Sequence, residues 1–556
     1  MNKLGIITCG LFGFGIGFVV VAACGTDRRS GFDERAGFPT EGQGAGFGDG
    51  GAEGGATKKL DRDPISCDEA RDFRTYVGCD YWPTVTANIV QDVFDFAVAV
   101  ANTGAAPANI TVTGNGVNET TTVAPGALGI IHLPWVAALK GNFTGLSQSV
   151  LAKGGAYHLV SDRPVVVYQF SPLEFKAAGP PGKNWSACMK QIGAPDCYSY
   201  TNDASLLIPS TAMTGAYRIM GTYGWSRHPM NEQGKFDPTQ PLQPGYAPFF
   251  TITATQNGTH VTVKLGSKAK VVAGGGIAGA DANGTVTLTL DAGDVAEIVG
   301  GLGRDYDFSG SLLNADKPVQ VITGVPCQDY PLDTHACDHV EETVFPAETL
   351  GKHYVVTTPT GPKANKVGHY VRFYGNANET KLTYKGPKPN GAPDSLSEGQ
   401  VVECEAQADF EVEGDKAFGV GMFMLGGELV DPSYGGSGQP QGDPSQSFAV
   451  TVEQYRKKYV FLAPADYKTS YVDVVMESGT KLTLDGKDVS ALAATITGTG
   501  WMVGRLLLEP TNGGVHTLDA DRPVGIQVLG YGDNTTYQYP GGLNLGEITP
   551  RPEIPK

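Results

Sequence analysis

A charged turn followed at once by an apolar strand occurs four times along the chain, and this repeat limits the possible folds more than any other feature. Its copies are Asp162-Arg163-Pro164-Val165, Asp316-Lys317-Pro318-Val319, Asp415-Lys416-Ala417-Phe418 and Asp521-Arg522-Pro523-Val524. Apolar residues alternate after each copy, as at Val319 and Val321. Because successive side chains of a strand point to opposite faces, this period of two indicates half-buried strands. The repeat therefore predicts an array of related β units.

Further elements recur upstream of each charged turn. A small-residue turn, such as Asp291-Ala292-Gly293, precedes each copy, and two β-branched or Thr-rich stretches joined by a tight turn lie before it. These paired stretches are interpreted as hairpins, at 96–112, 250–263, 371–384 and 472–484. Three units also have a proline-marked lead, followed by a strand that begins at Tyr217, Tyr354 or Tyr471.

The predicted fold is all-β, a tandem array of about four related β-sandwich-like modules. Short strands at regular spacing with turn signals between them favour sandwiches, and no helical period is sustained after the apolar N-terminal run. The modules are predicted at 68–175, 200–330, 340–430 and 445–535, and residues 536–556 are expected to form a C-terminal tail.

The N-terminus has the pattern of a secretion signal. Lys3 precedes an apolar stretch that ends in Val21-Ala22-Ala23-Cys24, a tetrad that resembles a bacterial lipobox. Residues 1–23 are therefore predicted to be a lipoprotein signal peptide, with Cys24 as the lipidated first residue of the mature protein. A transmembrane anchor is the alternative, because the apolar run is just long enough to span a bilayer. Residues 24–62 combine Cys24 with a Gly-rich, acidic tether that is expected to be disordered.

Charge and export together restrict the partners. The net charge of −17 over 556 residues argues against nucleic acid, because phosphate backbones are bound by clustered Lys and Arg. The expected partners are a membrane, held through the lipidated N-terminus, and an extracellular protein or polysaccharide. The expected location is the cell envelope, at the outer membrane or surface of a Gram-negative bacterium. No cofactor is expected.

Seven cysteines remain besides Cys9 and Cys24, and six of them lie in close pairs. The pairs are Cys67 with Cys79, Cys188 with Cys197, and Cys327 with Cys337. An exported protein folds in an oxidising compartment, so local disulfides are the natural assignment. Cys404 is left over and is expected to be a buried free thiol, because it shares one strand face with Val402 and Ala406.

Residues 333–342 are dense in His and carboxylate side chains. His335, Asp338 and His339 are weak candidates for metal ligands. A disulfide-braced polar loop is the favoured interpretation, because the flanking cysteines suit each other and no helical pattern places both histidines on one face. The sequence has no zinc-binding helix, nucleophile elbow or phosphate-binding loop, so no catalytic residue is assigned.

Five segments of this chain resemble, in order, the IgGFc-binding-protein N-terminal domain family. They are Tyr76-Val77-Gly78-Cys79-Asp80-Tyr81-Trp82-Pro83, the run from Tyr200 to Pro209, Ala336-Cys337-Asp338-His339-Val340-Glu341-Glu342, Gly442-Asp443-Pro444-Ser445 and Val452-Glu453-Gln454-Tyr455. The chain is similar to a bacterial surface lipoprotein of this family. The resemblance implies an extracellular binding or adhesion module, in a family named for binding the Fc part of immunoglobulin G. It implies no particular ligand residues.

The leading functional hypothesis is a non-enzymatic cell-surface lipoprotein that binds an extracellular protein or glycan through its tandem modules, since arrays convert weak contacts into avidity. Trp185, Tyr198 and Tyr330 are the candidate contacts, because Trp and Tyr are favoured at binding hot spots. The alternative for these rings is that they cover module junctions. The competing functions are a structural spacer of the cell envelope and an exported hydrolase with an unrecognised site.

Overall fold

The computed structural model describes residues 62–177, 182–190, 197–432, 439–509 and 514–554. The predicted signal peptide, Cys24 and the tether up to residue 61 lie outside these residues. Within the described ranges, no helix combines the length and the apolar composition needed to cross a membrane.

In the described part of the chain, thirty-two strands, three short α-helices and three 3₁₀ turns make up four units of eight strands each. The first unit has α1 (Cys67–Phe73), β1 (Gly78–Tyr81), β2 (Phe96–Ala101), β3 (Ala108–Gly114), β4 (Val117–Val123), β5 (Leu128–Leu133), α2 (Ala137–Lys140), β6 (Val150–Ala152), β7 (His158–Phe170) and β8 (Ala204–Leu206). The second has β9 (Ala216–Arg218), β10 (Phe249–Ala254), β11 (Thr259–Lys264), β12 (Thr285–Leu290), β13 (Val295–Val299), β14 (Leu312–Ala315), β15 (Val319–Gln328) and β16 (Asp338–Thr343).

The third and fourth units continue the same plan. The third has a 3₁₀ turn (Ala347–Thr349), β17 (His353–Val356), β18 (His369–Gly375), β19 (Thr380–Lys385), β20 (Ser395–Leu396), β21 (Val401–Ala406), β22 (Phe410–Gly414), β23 (Phe418–Met424), α3 (Gly427–Val430) and β24 (Gln446–Phe448). The fourth has 3₁₀ turns (Val452–Gln454 and Ser490–Leu492), β25 (Arg456–Ala463), β26 (Thr469–Glu477), β27 (Leu482–Leu484), β28 (Lys487–Asp488), β29 (Ala493–Thr495), β30 (Trp501–Leu507), β31 (Gly514–Gly532) and β32 (Thr535–Pro540).

Each unit is a sandwich of two antiparallel sheets, and the strand order is the same in all four. In the third unit the sheets are β20-β19-β22-β17 and β21-β18-β23-β24. The second unit repeats this as β12-β11-β14-β9 and β13-β10-β15-β16, with β6 of the first unit added beside β13. In the first and fourth units one long strand, β7 or β31, runs through both sheets. The prediction of an all-β fold with repeated sandwich-like modules is confirmed.

The hairpin interpretation, in contrast, is wrong. The predicted stretches do form strands, but β2 pairs with β5 and β7, whereas β3 pairs with β4 and β7. The same separation holds for β10 and β11, for β18 and β19, and for β26 and β27. The tight turn between the two strands carries the chain from one sheet to the other across the core. Turn residues that tolerate positive φ allow either path, so the turn sequence alone does not reveal the pairing.

The charged turn is the outer corner at which the chain passes between the two sheets. It separates β14 from β15 and β22 from β23, and it lies inside the long strands β7 and β31. In every copy the aspartate accepts a backbone hydrogen bond from the neighbouring strand. The donors are Asn109 to Asp162 (2.8 Å), His260 to Asp316 (2.8 Å), Lys381 to Asp415 (2.8 Å) and Lys481 to Asp521 (2.9 Å).

A buried tyrosine completes each corner in the manner of the tyrosine corners of other β-sandwiches. Its hydroxyl donates to the carbonyl of the apolar residue that follows the charged turn: Tyr81 to Val165 (2.6 Å), Tyr217 to Val319 (2.6 Å), Tyr354 to Phe418 (2.6 Å), and Tyr459 to Val524. The same hydroxyl accepts from the N–H three residues earlier. In the fourth unit the corner tyrosine is Tyr459 of β25, which precedes Ala463-Pro464, whereas the strand that follows this proline is β26, which contains Tyr471.

The apolar core lies between the two sheets of each unit. In the third unit Val371 and Phe373 of one sheet face Leu382 and Val412 of the other, and all four are buried. Burial of each such side chain stabilises the fold by about 1.5–3 kcal/mol. Cys404 belongs to this core, where burial raises the pKa of its thiol to about 11.

The four units close into a propeller-like ring. Their last strands, β8, β16, β24 and β32, are called the axial strands here, and each contacts the next, with β32 returning to β8. The ends of the chain join the ring, because the N–H of Tyr76 donates to Leu543 (3.2 Å) and that of Leu545 donates to Arg74 (2.9 Å). Residues 536–556, expected to form a tail, therefore contain most of β32 and the segment that closes the ring.

Candidate functional site

Four loops meet at one end of the ring axis, because each enters an axial strand from the same side of the ring. These axial loops comprise the described residues between the last two strands of each unit: 171–177, 182–190 and 197–203 in the first, 329–337 in the second, 425–432 and 439–445 in the third, and 533–534 in the fourth. Disulfides brace two of them: Cys188–Cys197 lies within the first loop, and Cys327–Cys337 ties the ends of the second. The third disulfide, Cys67–Cys79, instead joins α1 to β1.

The axial loops surround a pocket of about 350 Å³, which we call the axial pocket. Every unit contributes to its wall. The lining residues are Ile89, Val90, Gln91, Ser199, Tyr200, Thr201, Cys327, Ala336, Cys337, Gln439, Asp443 and Asn534. The pocket is therefore a product of ring closure and not of any single unit.

Three buried aspartates, the axial acids, mark the starts of the first three axial strands. Asp203 precedes β8, Asp338 begins β16 and Asp443 lies shortly before β24, whereas the matching part of the fourth unit has Asn534. Asp338 accepts the backbone N–H of Asn202 at 2.8 Å, so its carboxylate joins the first and second units.

Asp203 is the most highly connected of the axial acids. One carboxylate oxygen accepts the N–H of Ala204 (2.9 Å) and the hydroxyl of Ser445 (2.8 Å). The other accepts the N–H groups of Glu341 (3.0 Å) and Gln446 (3.3 Å). Asp203 thus joins three units at the axis, and these contacts indicate a structural role.

Asp443 is connected differently. Its N–H donates to Thr536 Oγ1 at 2.6 Å, but its carboxylate oxygen Oδ1 has no hydrogen-bond partner although the residue is only 1% exposed. Asp329, at the start of the second axial loop, also has an unpartnered Oδ1 and is fully buried. Buried polar groups without partners are uncommon and call for a physical explanation.

Burial at the axis raises the pKa of these acids. Burial, followed by repulsion from Asp443 and Asp203, raises the pKa of Asp338 well above its usual value. Burial also raises the pKa of Asp443, with Asp329 adding repulsion, and raises the pKa of Asp329 to about 7. Desolvation penalises the charged form of each carboxyl.

The candidate contact residues chosen from the sequence occupy three different surroundings. Tyr198 is half-buried, and its ring lies 5.2 Å from Phe175 and 5.3 Å from Tyr200. Trp185 packs 5.2 Å from Phe94, beside the Cys188–Cys197 disulfide, with the Lys183 ammonium 4.5 Å from its ring. Neither Tyr198 nor Trp185 is among the residues that line the axial pocket, whereas Tyr200 is.

Tyr330 has no surface that a ligand could reach. It is completely buried, 4.8 Å from the ring of Phe423 and 5.5 Å from that of Tyr370, and its hydroxyl bonds to Thr222. The alternative interpretation, that this ring covers a junction, describes its surroundings between the second and third units.

Tyr200 is the aromatic residue that sequence reasoning missed. It lies in the pocket wall with φ of +54°, in the left-handed region that non-glycine residues rarely adopt. Such backbone strain clusters at functional sites. The sequence carried one signal, since Tyr200 begins a segment of family resemblance, but nothing local distinguishes it from Tyr198.

The weak metal candidates are not brought together. Asp338 and His339 are adjacent on β16 and point to opposite sides, while His335 packs 5.4 Å from Phe236 in a second pocket of about 450 Å³. Asp333 also lines that pocket. Although burial raises the pKa of Asp333, the hydrogen bonds from Arg304 and His228 hold it at about 2.

Two other groups in the described part of the chain place three His or carboxylate ligand atoms within 4.8 Å of one another. They are Asp95, His132 and Glu174, and His353, Glu411 and Glu413. Each already holds a lysine: Lys183 lies 2.6 Å from Asp95, and Lys385 lies 3.0 Å from Glu411 and 2.7 Å from Glu413. These groups are accounted for as ion pairs.

Comparison with known proteins gives one match. No curated protein and no solved structure is significantly similar to this chain. The profile of the family described as IgGFc binding protein matches residues 203–530, which begin at the first axial acid and end within β31. Since this match covers more than half of the 556 residues, the chain belongs to the IgGFc-binding protein family.

Proposed function

We propose that this chain is a non-enzymatic recognition protein of the cell surface, which binds an extracellular protein partner at the face formed by the axial loops. One observation carries the proposal: four unlike loops, two of them braced by disulfides, converge on a single pocket of about 350 Å³. Membership of a family of binding proteins supports a protein as the partner. A polysaccharide remains the alternative partner.

The architecture suits recognition because it separates a rigid support from variable loops. Binding residues occur disproportionately on loops that a rigid scaffold positions. Here the axial strands supply the scaffold, and the axial loops differ in length and sequence between units. A structural spacer does not need one face that differs from the rest of its surface. The unlike axial loops therefore favour recognition over the spacer hypothesis.

The exported hydrolase is less well supported, although acids converge at the axis. Acid–base catalysis needs groups that reach the substrate together. Among the described residues, Asp443 is the only one with a carboxyl side chain that lines the pocket, and no described His, Lys, Arg or Glu lines it. The geometry therefore favours a binding role for this pocket.

We further propose that lipidated Cys24 anchors the protein to the cell envelope and that residues 25–61 form its tether. The lipobox-like tetrad and the Gly-rich composition support this. A flexible tether would allow the axial face to meet partners beyond the lipid surface.

The test is capture by the full-length chain, solubilised in mild detergent, of immunoglobulin G, envelope proteins and surface polysaccharides supplied separately. Gln439→Trp places a bulky ring at the exposed rim of the pocket, and Asn118→Trp places the same ring on β4 away from it. We expect a protein ligand to be retained by the wild type and by Asn118→Trp, with at least a tenfold loss for Gln439→Trp. Equal retention by both variants, or retention of no ligand, would contradict the proposal.

A further inference from the structure

The charge of the axial pocket is one-sided. Of the described residues that line it, Asp443 alone has a carboxyl side chain, and none is Lys, Arg or His. The remaining wall is made of apolar, amide and hydroxyl side chains and of the Cys327–Cys337 disulfide. An anion entering this pocket would find no cationic side chain among the described lining residues.

The Asp443 carboxyl also lacks compensation from within the protein. Its Oδ1 atom has no hydrogen-bond partner, and no described Lys, Arg or His forms an ion pair with it. Asp329 and Glu428 repel its charged form and so add to the effect of burial on its pKa. Burial raises the pKa of this carboxyl because its charged form is not compensated, and a hydrogen-bond donor that carries positive charge would stabilise that form, which makes such a donor the complementary ligand.

A metal ion is a poor fit to this position. Divalent cations of the Ca²⁺ type take six to eight oxygen ligands, yet the described residues place no three acidic or His ligand atoms within 4.8 Å of one another at the pocket. The volume of about 350 Å³ is instead large enough for an organic cation together with part of its stem.

Tyr200 supplies a second feature that suits an organic cation. Its ring lines the same pocket and is half-buried. Guanidinium and ammonium groups are attracted to aromatic faces, with about 0.5–2 kcal/mol gained according to desolvation. A planar guanidinium can donate to a carboxylate through one edge while its face lies against a ring.

We propose that the axial pocket receives a cationic side chain of the protein partner, an arginine in the first instance, with Asp443 as its acceptor and Tyr200 as its aromatic wall. This inference rests on the proposed function and deepens it, because it names the chemical group that the partner presents. Asp203 and Asp338, which are engaged by backbone donors, hold the surrounding strands in place.

The first test uses a small compound, so that it does not depend on finding the partner. N-acetylarginine amide is titrated into the full-length chain by calorimetry, and N-acetylcitrulline amide, a neutral compound of nearly the same shape, is titrated in parallel. We expect the arginine compound to bind at least tenfold more tightly than the citrulline compound, with the difference shrinking as NaCl is raised. Equal binding of the two compounds, or binding of neither, would overturn the inference.

Variants locate the binding site. Asp443→Asn is expected to weaken binding of the arginine compound at least tenfold, whereas Asp305→Asn, which removes an exposed acid outside the pocket, leaves it within twofold. Gln439→Trp should also block binding, which keeps the test valid if Asp443→Asn does not fold. Unchanged binding by both pocket variants, or competition by millimolar CaCl₂ at constant ionic strength, would overturn the assignment.

Failure of the cationic-ligand inference and failure of the proposed protein-binding function give different experimental results. A captured protein partner without binding of the arginine compound rejects only the cationic group. Binding of the arginine compound without any captured protein rejects the proposed partner class while leaving the pocket chemistry in place.

Discussion

At the outer corners the four units make the same two contacts four times, whereas at the axis the four units place different side chains in one location. Each corner pairs an aspartate with a neighbouring N–H and a tyrosine hydroxyl with a carbonyl, as at Asp415 and Tyr354. At the axis the side chains beside the starts of the axial strands differ: they are Asp203, Asp338 and Asp443 in the first three units and Asn534 in the fourth.

This difference between the outer corners and the axis distinguishes residues that fold each unit from residues that are available for another role. A contact that recurs in every unit serves the folding of that unit, because each sandwich must turn its chain between two sheets. A position that differs between units cannot serve that purpose in all of them, so its side chain is free to meet other demands. Asp203 binds three units together, while Asp443 leaves an oxygen unpartnered at a pocket.

The largest effect is expected at the axis, from Asp203→Ala. Four donors from three units would lose their acceptor, and buried donors without partners are costly, so we expect a loss of about 3–5 kcal/mol in the free energy of unfolding. Urea denaturation followed by tryptophan fluorescence measures it. Asp203→Asn, which keeps one accepting oxygen, should lose about half as much. A loss below about 1 kcal/mol for Asp203→Ala would contradict a joining role.

A corner tyrosine should give the next largest effect. Tyr354→Phe keeps the buried ring but leaves the N–H of Gly351 and the carbonyl of Phe418 unpaired, so we expect a loss of about 1–3 kcal/mol. If the corners are equivalent, Tyr217→Phe should lower the free energy of unfolding by a similar amount. Tyr306→Phe, at a half-buried tyrosine outside the corners, serves as the control and should change stability by less than about 0.5 kcal/mol. Unequal corners would show that the repeated contact is not equivalent among units.

The third effect is a change in pH dependence. Burial raises the pKa of Asp329 to about 7, offset in part by Arg304 and reinforced by Asp333. The folded state therefore holds its proton after the unfolded state has lost it, and the associated stability is present below about pH 4 and lost as pH rises to about 7. In Asp329→Asn, the fall in unfolding free energy between pH 5 and 6.5 should be shallower by about 1.4 kcal/mol per pH unit. An unchanged slope would show that this carboxyl does not titrate as described.

The smallest effect is expected at an exposed corner aspartate. Asp162→Ala removes the acceptor of the Asn109 N–H, and we expect a loss of about 0.5–1 kcal/mol at pH 7. Hydrogen bonds from Asn109 lower the pKa of Asp162, so this contribution is present above about pH 4 and is lost at lower pH, the opposite direction to Asp329. Asp305→Ala is the matched control at an exposed acid outside the corners. Equal losses for the two variants would remove the distinction between a corner and an ordinary surface acid.

The sequence allowed the strands and their fourfold repetition to be predicted, because both leave local signals. The charged turn and the period of two after it needed only a few neighbouring residues. Pairing within a sandwich was not accessible in this way, since a turn such as Asn257-Gly258 permits a hairpin or a crossing between sheets. The proline-marked lead does not locate the corner tyrosine of the fourth unit either, because Ala463-Pro464 follows β25 instead of preceding it.

The candidate site was predictable only in outline. Cysteine spacing and aromatic content directed attention to the first two axial loops, and both contribute to the pocket wall. The third and fourth loops, with Asp443 and Asn534, could not be connected to them from the sequence. Contacts such as Asp203 with Ser445 join residues far apart in the chain, and no local pattern records that the ring closes.

Ring closure also determines which parts of the chain the pocket requires. Its wall combines Gln91 from the first unit with Asn534 from the last, and the ring is sealed by pairing of Leu543 and Leu545 with Tyr76 and Arg74. The complete pocket wall therefore requires residues more than 440 positions apart in the chain to be brought together, so a chain that lacks the fourth unit would lack part of this wall.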